Sequence, residues 1–97
     1  MVNQVYSKNG DELKTDFVLH PGEVLLDEIE ARELKKSAVA AELDILPGHL
    51  SEMFKGKRSI SAMTAVKLEK VLGVSAEFWL GLQSDYDLAQ ARRILAA

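Results

Sequence analysis

The chain has no cysteine, two prolines, one tryptophan and two histidines among its 97 residues. Without cysteine there is neither a disulfide framework nor a thiolate zinc site. His20–Glu23 and His49–Glu52 share a three-residue interval, but no Glu-x-x-His or His-x-x-x-His cluster is complete. A Gly-rich phosphate loop and a serine elbow are also missing. The expectation is a non-catalytic chain that holds no metal and needs no cofactor, with His20 as a linker or capping residue. No apolar run approaches the roughly 18 residues that span a bilayer, and no charged-then-apolar leader opens the chain. A reducing cytoplasm is the expected setting, with no membrane partner.

What is present fits one small folded unit. The apolar share of 47% is ordinary for a globule, and a chain this short does not divide into two independent cores. The net charge of −3 hides an asymmetry. Residues 1–34 carry three basic and eight acidic side chains, whereas residues 35–70 carry seven basic and four acidic. An acidic side and a basic side coexist in one domain, and local potential governs binding more than net charge does.

Helical punctuation begins at His20-Pro21-Gly22. Residues 1–19, with a turn-like Lys8-Asn9-Gly10-Asp11 cluster and no helical period, are expected to form an N-terminal arm. Residues 20–97 are expected to form the domain. A first helix fits about Pro21 to Arg32, with Pro21 at its first turn and Glu23 early; Leu25 and Ile29 share its inner face. A second fits Lys36 to Leu43, burying Val39, Ala40 and Leu43. A third fits Pro47 to Phe54, burying Leu50, Met53 and Phe54, with Gly56 where a left-handed cap wants glycine. Ser61 caps a fourth, Ala62 to Leu72, which stops at Gly73. Ser75 caps a fifth, with Phe78, Trp79 and Leu82 inward and a bend near Ser84-Asp85. The expected fold class is all-α, with five helices.

The segment from Lys36 to Lys55 carries the chemistry. Two short helices crossing steeply at a tight turn need an apolar inner face on each, supplied by Val39 and Leu43 and by Leu50 and Met53. They also need an apolar corner, Ile45, and a small residue at the closest approach, Ala40. This is the pattern of a helix-turn-helix, whose second helix can lie in a major groove. Asp44 stands where the turn usually has glycine, and Asp tolerates a left-handed backbone better than most residues. Lys35 and Leu46 stand at the two N-caps, where Ser, Thr or Asp is usual.

Outward positions on the second of these helices are Leu46, Pro47, Gly48, His49, Ser51, Glu52 and Lys55. Arg for guanine and Asn or Gln for adenine are missing from that face. His49, Ser51 and Glu52 are candidates for a base edge or phosphate, and Leu46 and Pro47 for a thymine methyl. Lys36, Lys55, Lys57 and Arg58 read as phosphate clamps, which position a protein without specifying sequence. Thin direct readout implies a dimer and some dependence on DNA shape. Two recognition helices must meet major-groove faces about 34 Å apart, so the subunits should pair about a two-fold axis. The candidates for that contact are Tyr86, Leu88, Ile94 and Leu95, with Trp79 read as core.

Three stretches resemble the HigA-type, or VapI-like, antitoxins of the lambda-repressor-like helix-turn-helix group. They are His20-Pro21-Gly22-Glu23-Val24-Leu25, the stretch from Leu50 to Ser61 with its Gly56-Lys57-Arg58, and the run from Leu72 to Gln83 followed by Tyr86-Asp87-Leu88. The last is the most specific. The resemblance implies a five-helix domain that acts as a homodimer on double-stranded operator DNA before its own genes. It also implies neutralisation of a cognate HigB-like toxin, a RelE-type ribosome-dependent mRNA endonuclease, and co-repression with it. By the same resemblance, DNA contacts fall at Lys36, Pro47, Gly48, His49, Ser51, Glu52, Lys55, Lys57 and Arg58. Two other readings stay open: a helix-turn-helix module that only sequesters a protein, favoured by the poor donor set, and a stand-alone transcriptional regulator.

Overall fold

The computed structural model describes residues 18–96, and those residues form five α-helices and no strand. They are α1 (Pro21–Ala31), α2 (Lys36–Glu42), α3 (Pro47–Phe54), α4 (Ala62–Leu72) and α5 (Ala76–Ala96). Residues 1–17 of the expected arm lie outside the described residues; Val18 is half-buried and Leu19 is exposed.

Local chemistry accounts for the helix ends. The Ser61 and Ser75 hydroxyls accept from the N–H groups of Thr64 (3.2 Å) and Phe78 (3.1 Å), each satisfying a donor that a first helical turn leaves open. Three helices end in the same double bond. Leu34 N–H donates to Ile29 and Glu33 to Glu30; Ile45 donates to Ala40 and Asp44 to Ala41; Lys57 donates to Glu52 and Gly56 to Met53. This is the Schellman arrangement, which turns the chain through a left-handed residue. That residue is Glu33 (φ 57°), Asp44 (φ 59°) and Gly56 (φ 80°), so only one of the three is the glycine the geometry favours. As expected, Lys35 and Leu46 make no side-chain cap.

The core gathers Leu25 and Ile29 of α1, Val39 and Ala40 of α2 with Leu43, Leu50 and Met53 of α3, Ala65, Leu68 and Leu72 of α4, and Trp79 of α5. Trp79 is fully buried, as the sequence implies. Its neighbour Phe78 is not the inward residue expected of it. Successive helical residues turn by about 100°, so seating Trp79 at the centre leaves Phe78 on the rim, 44% exposed and edge-on to the indole at 5.4 Å. Phe54 is likewise only half-buried, under the Lys36 ammonium 5.9 Å from its ring centroid.

The bend expected near Ser84-Asp85 is not there. Helix α5 runs unbroken for 21 residues. Gln83 Nε2 donates to Asp87 (2.9 Å) across the suspected hinge, and Gln90 Nε2 to Tyr86 Oη (3.3 Å) and Arg93 to Gln90 (2.7 Å) follow further along the helix. From Ala91 to Ala96 every side chain is exposed, so the last turns of α5 overhang the core.

The start of α1 is seated against the end of α3. Pro21 and Gly22 are buried, and a β-carbon on Gly22 would lie 1.9 Å from the Met53 carbonyl oxygen. Gly22→Ala is expected to lower stability by about 1–3 kcal/mol through overpacking. The check is the urea midpoint, which should fall while the slope of the transition stays the same.

Candidate nucleic-acid interface

The steep pair α2–α3 is held from both ends. At the turn, Lys67 Nζ of α4 donates to the Leu43 carbonyl at 3.1 Å, one of the acceptors that α2 leaves unpaired at its end. At the far end, His20 caps α1 by accepting the Glu23 N–H on Nδ1 (3.2 Å). Its other ring edge lies so close to Gly56 that a β-carbon there would come within 2.2 Å of Nε2. Tyr86 meets the same imidazole edge-on at 4.9 Å. His20 and Glu23 are thus cap and capped, as the sequence reading of His20 anticipates.

With Leu50 and Met53 spent on the core, α3 has its opposite side free. Pro47, Gly48 and Lys55 are exposed, and His49, Ser51 and Glu52 are half-buried. Leu46, just before the helix, is 76% exposed. The Schellman turn at Gly56 then sends the chain out through Lys57, Arg58 and Ser59, all exposed. Lys36 joins this group through Phe54, whose ring it covers one residue before Lys55. The nine residues expected at a DNA surface therefore lie on α3, its exit loop and the start of α2, and all are accessible to some degree.

One contact on this surface is not visible in the residue spacing. Arg58, read as a phosphate clamp, donates from Nε to Oε1 of Glu52, with side chains 52% and 46% exposed. That hydrogen bond and the guanidinium's charge hold the Glu52 carboxyl below the usual glutamate range, with smaller help from His49 and Lys57. The pair leaves Lys36, Lys55 and Lys57 as the cations of this surface without a carboxylate partner among the described residues.

Gln83 was visible only as part of a motif, yet it fixes the basic loop. Its Oε1 accepts the buried N–H of Ile60 at 2.8 Å while its amide donates to Asp87. Trp79, Gln83 and Tyr86 fall on one side of α5, at spacings of four and three. A lone amide on an apolar stripe must find a partner if it is buried. That is the signal by which the sequence could have revealed it. On the same helix, Tyr86 is half-buried and meets His20, while Leu88, Ile94 and Leu95 are exposed. No three His, Asp or Glu residues gather to hold a metal among the described residues, and no described helix is long and apolar enough to cross a membrane.

Two outcomes are expected from these contacts. Gln83→Met leaves the Ile60 N–H without its acceptor and lowers stability by about 1–3 kcal/mol, measured by chemical denaturation. In a carbon-detected titration, the Glu52 carboxyl of the native protein should have its midpoint below that of a free glutamate, about 4.3. Arg58→Gln should raise it, because it removes both main causes of the depression. A lowered folded value means that the pair's contribution is present at neutral pH and is lost as pH falls through that midpoint.

Comparison with known proteins agrees with this architecture. Residues 25–79 match the helix-turn-helix family HTH_3. The chain is 36% identical over 76 residues to virulence-associated protein I of Dichelobacter nodosus, covering 77% of this chain and 70% of that one. Among solved structures, an addiction module antidote protein of the HigA family from Coxiella burnetii superposes with a TM-score of 0.71 at 36% identity, over 78% of this chain and 84% of that one. The Pseudomonas aeruginosa antitoxin HigA, solved with the higBA promoter, gives 0.74 at 35% identity, over 79% and 85%. With the helix pair, the left-handed Asp44 turn and the exposed third helix in place, the chain belongs to the lambda-repressor-like helix-turn-helix family, and its structural neighbours are HigA-family antitoxins.

Proposed function

We propose that this chain is the antitoxin of a two-gene toxin–antitoxin module, acting in the cytoplasm without catalysing a reaction. It binds the operator of its own genes as a homodimer and represses them, and it neutralises a HigB-like, RelE-type mRNA endonuclease. The observation that carries the DNA half is the exposed side of α3, continuous with Lys55, Lys57 and Lys36. A relative of 35% identity solved with a promoter supports it. Helix α3 enters the major groove, and the three lysines hold phosphates on either side. Pairing runs through the overhanging end of α5, where Ile94 and Leu95 are 73% and 87% exposed, together with Leu88 and the half-buried Tyr86. The toxin half is supported by the HigA likeness of the fold.

A second reading has an observation of its own. The approach to the groove offers Leu46, Pro47 and Gly48, which donate no side-chain hydrogen bond, and one of four cations is already paired. A chain that kept the fold and only sequestered a protein would look like this.

Binding to the duplex upstream of its own gene, measured across salt concentrations, separates the two. A DNA binder loses affinity steeply as salt rises, with a logarithmic slope near 0.9 for each phosphate contact. Lys55→Ala and Lys57→Ala should each weaken binding to all sequences alike and lower that slope by about 0.9, whereas His49→Ala should change which sequence is preferred. A response flat in salt and close to no binding would leave only the sequestering role. Co-purification with the product of the adjacent gene tests the toxin half.

A further inference from the structure

The face of α3 lacks the donors that read purines, since no Arg, Asn or Gln occurs between Pro47 and Lys55. The folded chain brings one there. Arg58 lies six residues beyond Glu52 in sequence, but the Schellman turn at Gly56 folds the loop back until Arg58 Nε meets Oε1 of Glu52. Gly48, Glu52 and Lys55 follow one another at spacings of four and three, which is one side of a helix. The partner that holds Arg58 therefore belongs to the free side of the recognition helix. Bonding through Nε occupies one edge of the guanidinium and leaves the edge formed by its two terminal amines, the fork that matches two acceptors side by side.

We propose that Glu52 and Arg58 form a single reading unit, in which Glu52 is a positioning residue and the terminal amines of Arg58 take the O6/N7 edge of a guanine. This rests on the DNA-binding reading above and reassigns Arg58 from phosphate clamp to base reader. The chemistry has two parts. Glu52 fixes a long side chain that otherwise samples many rotamers, so less freedom is lost when the fork engages its base. Its negative charge also offsets the attraction of Arg58 for any passing phosphate, which favours the one site where two aligned acceptors repay the contact. A lone clamp in a flexible loop would have neither property.

The test uses the full chain, its upstream duplex and a shuffled duplex of the same composition, each measured at several salt concentrations. Wild-type protein should lose about tenfold in operator affinity when 7-deazaguanine, which lacks the N7 acceptor, replaces the guanines. Arg58→Met removes every donor at this position. It should prefer the operator about tenfold less than wild type does and no longer sense 7-deazaguanine. Glu52→Gln frees Arg58 for phosphates, so it should tighten shuffled binding, narrow the preference for the operator and steepen the salt slope by about 0.9. Both side chains are about half exposed, and thermal unfolding of each variant checks that the fold is intact.

If wild type binds its operator but Arg58→Met keeps both the preference and the 7-deazaguanine effect, the reading unit is wrong. It is equally wrong if Glu52→Gln leaves preference and slope unchanged. Failure of the wild-type chain to bind either duplex at low salt overturns the DNA-binding reading itself, and the unit with it.

Discussion

The recognition surface depends on a place where there is no room for a side chain. The backbone of α1 at Gly22 touches the Met53 carbonyl, and Gly56, where the chain leaves α3, lies against the imidazole of His20. These two contacts fix the C-terminal end of α3 against the start of α1. Because His20 also caps α1 through Nδ1, the same residue that begins the domain sets the position from which the basic loop departs. Interiors packed to this density transmit displacement rather than absorb it. A shift of α1 would therefore move Lys55, Lys57 and Arg58 together.

From that seat the loop is held a second time, by Gln83. A hydrogen bond to the buried Ile60 N–H joins the loop to α5, the helix whose far end overhangs the core and carries the exposed Leu88, Ile94 and Leu95. The basic loop is thus tied to the same helix that carries the apolar overhang. A chain of net charge −3 can serve an anionic partner because its cations are sorted by this scaffold: the acids of α1, namely Glu23, Asp27 and Glu30, are exposed on a different helix from the lysines around α3. Local potential, and not the sum, is what a phosphate meets.

Much of this was legible from residue spacing. Helices α3 and α4 begin and end where Pro47, Phe54, Ser61 and Gly73 place them, because caps and left-handed turns are local chemistry written in adjacent residues. The left-handed Asp44 and the uncapped Lys35 and Leu46 were equally readable. What spacing could not show was the competition between neighbours for one buried place. Phe78 and Trp79 both look inward at helical spacing, and only packing decides that the indole takes the centre. The unbroken α5 was hidden for the opposite reason: Ser84 and Asp85 are poor helix formers taken singly, but the side-chain bond from Gln83 to Asp87 bridges their turn. The pairing of Glu52 with Arg58 depends on a loop folding back over six residues, which no periodic pattern encodes.

The same limit explains why the surface looks poorer in sequence than in space. Read along the helix, α3 presents Pro47, Gly48 and His49, a set with few donors. Read across the fold, it receives a guanidinium from the loop and an ammonium from α2, both delivered by contacts with α3 itself, at Glu52 and Phe54. A recognition helix that imports its cations can be short and weakly polar on its own, and α3 has only eight residues. The cost is that its binding surface exists only when α1, the loop and α5 are all in register. On the proposed DNA-binding function, affinity then depends on residues away from α3, Gly22 and Gln83 foremost among them.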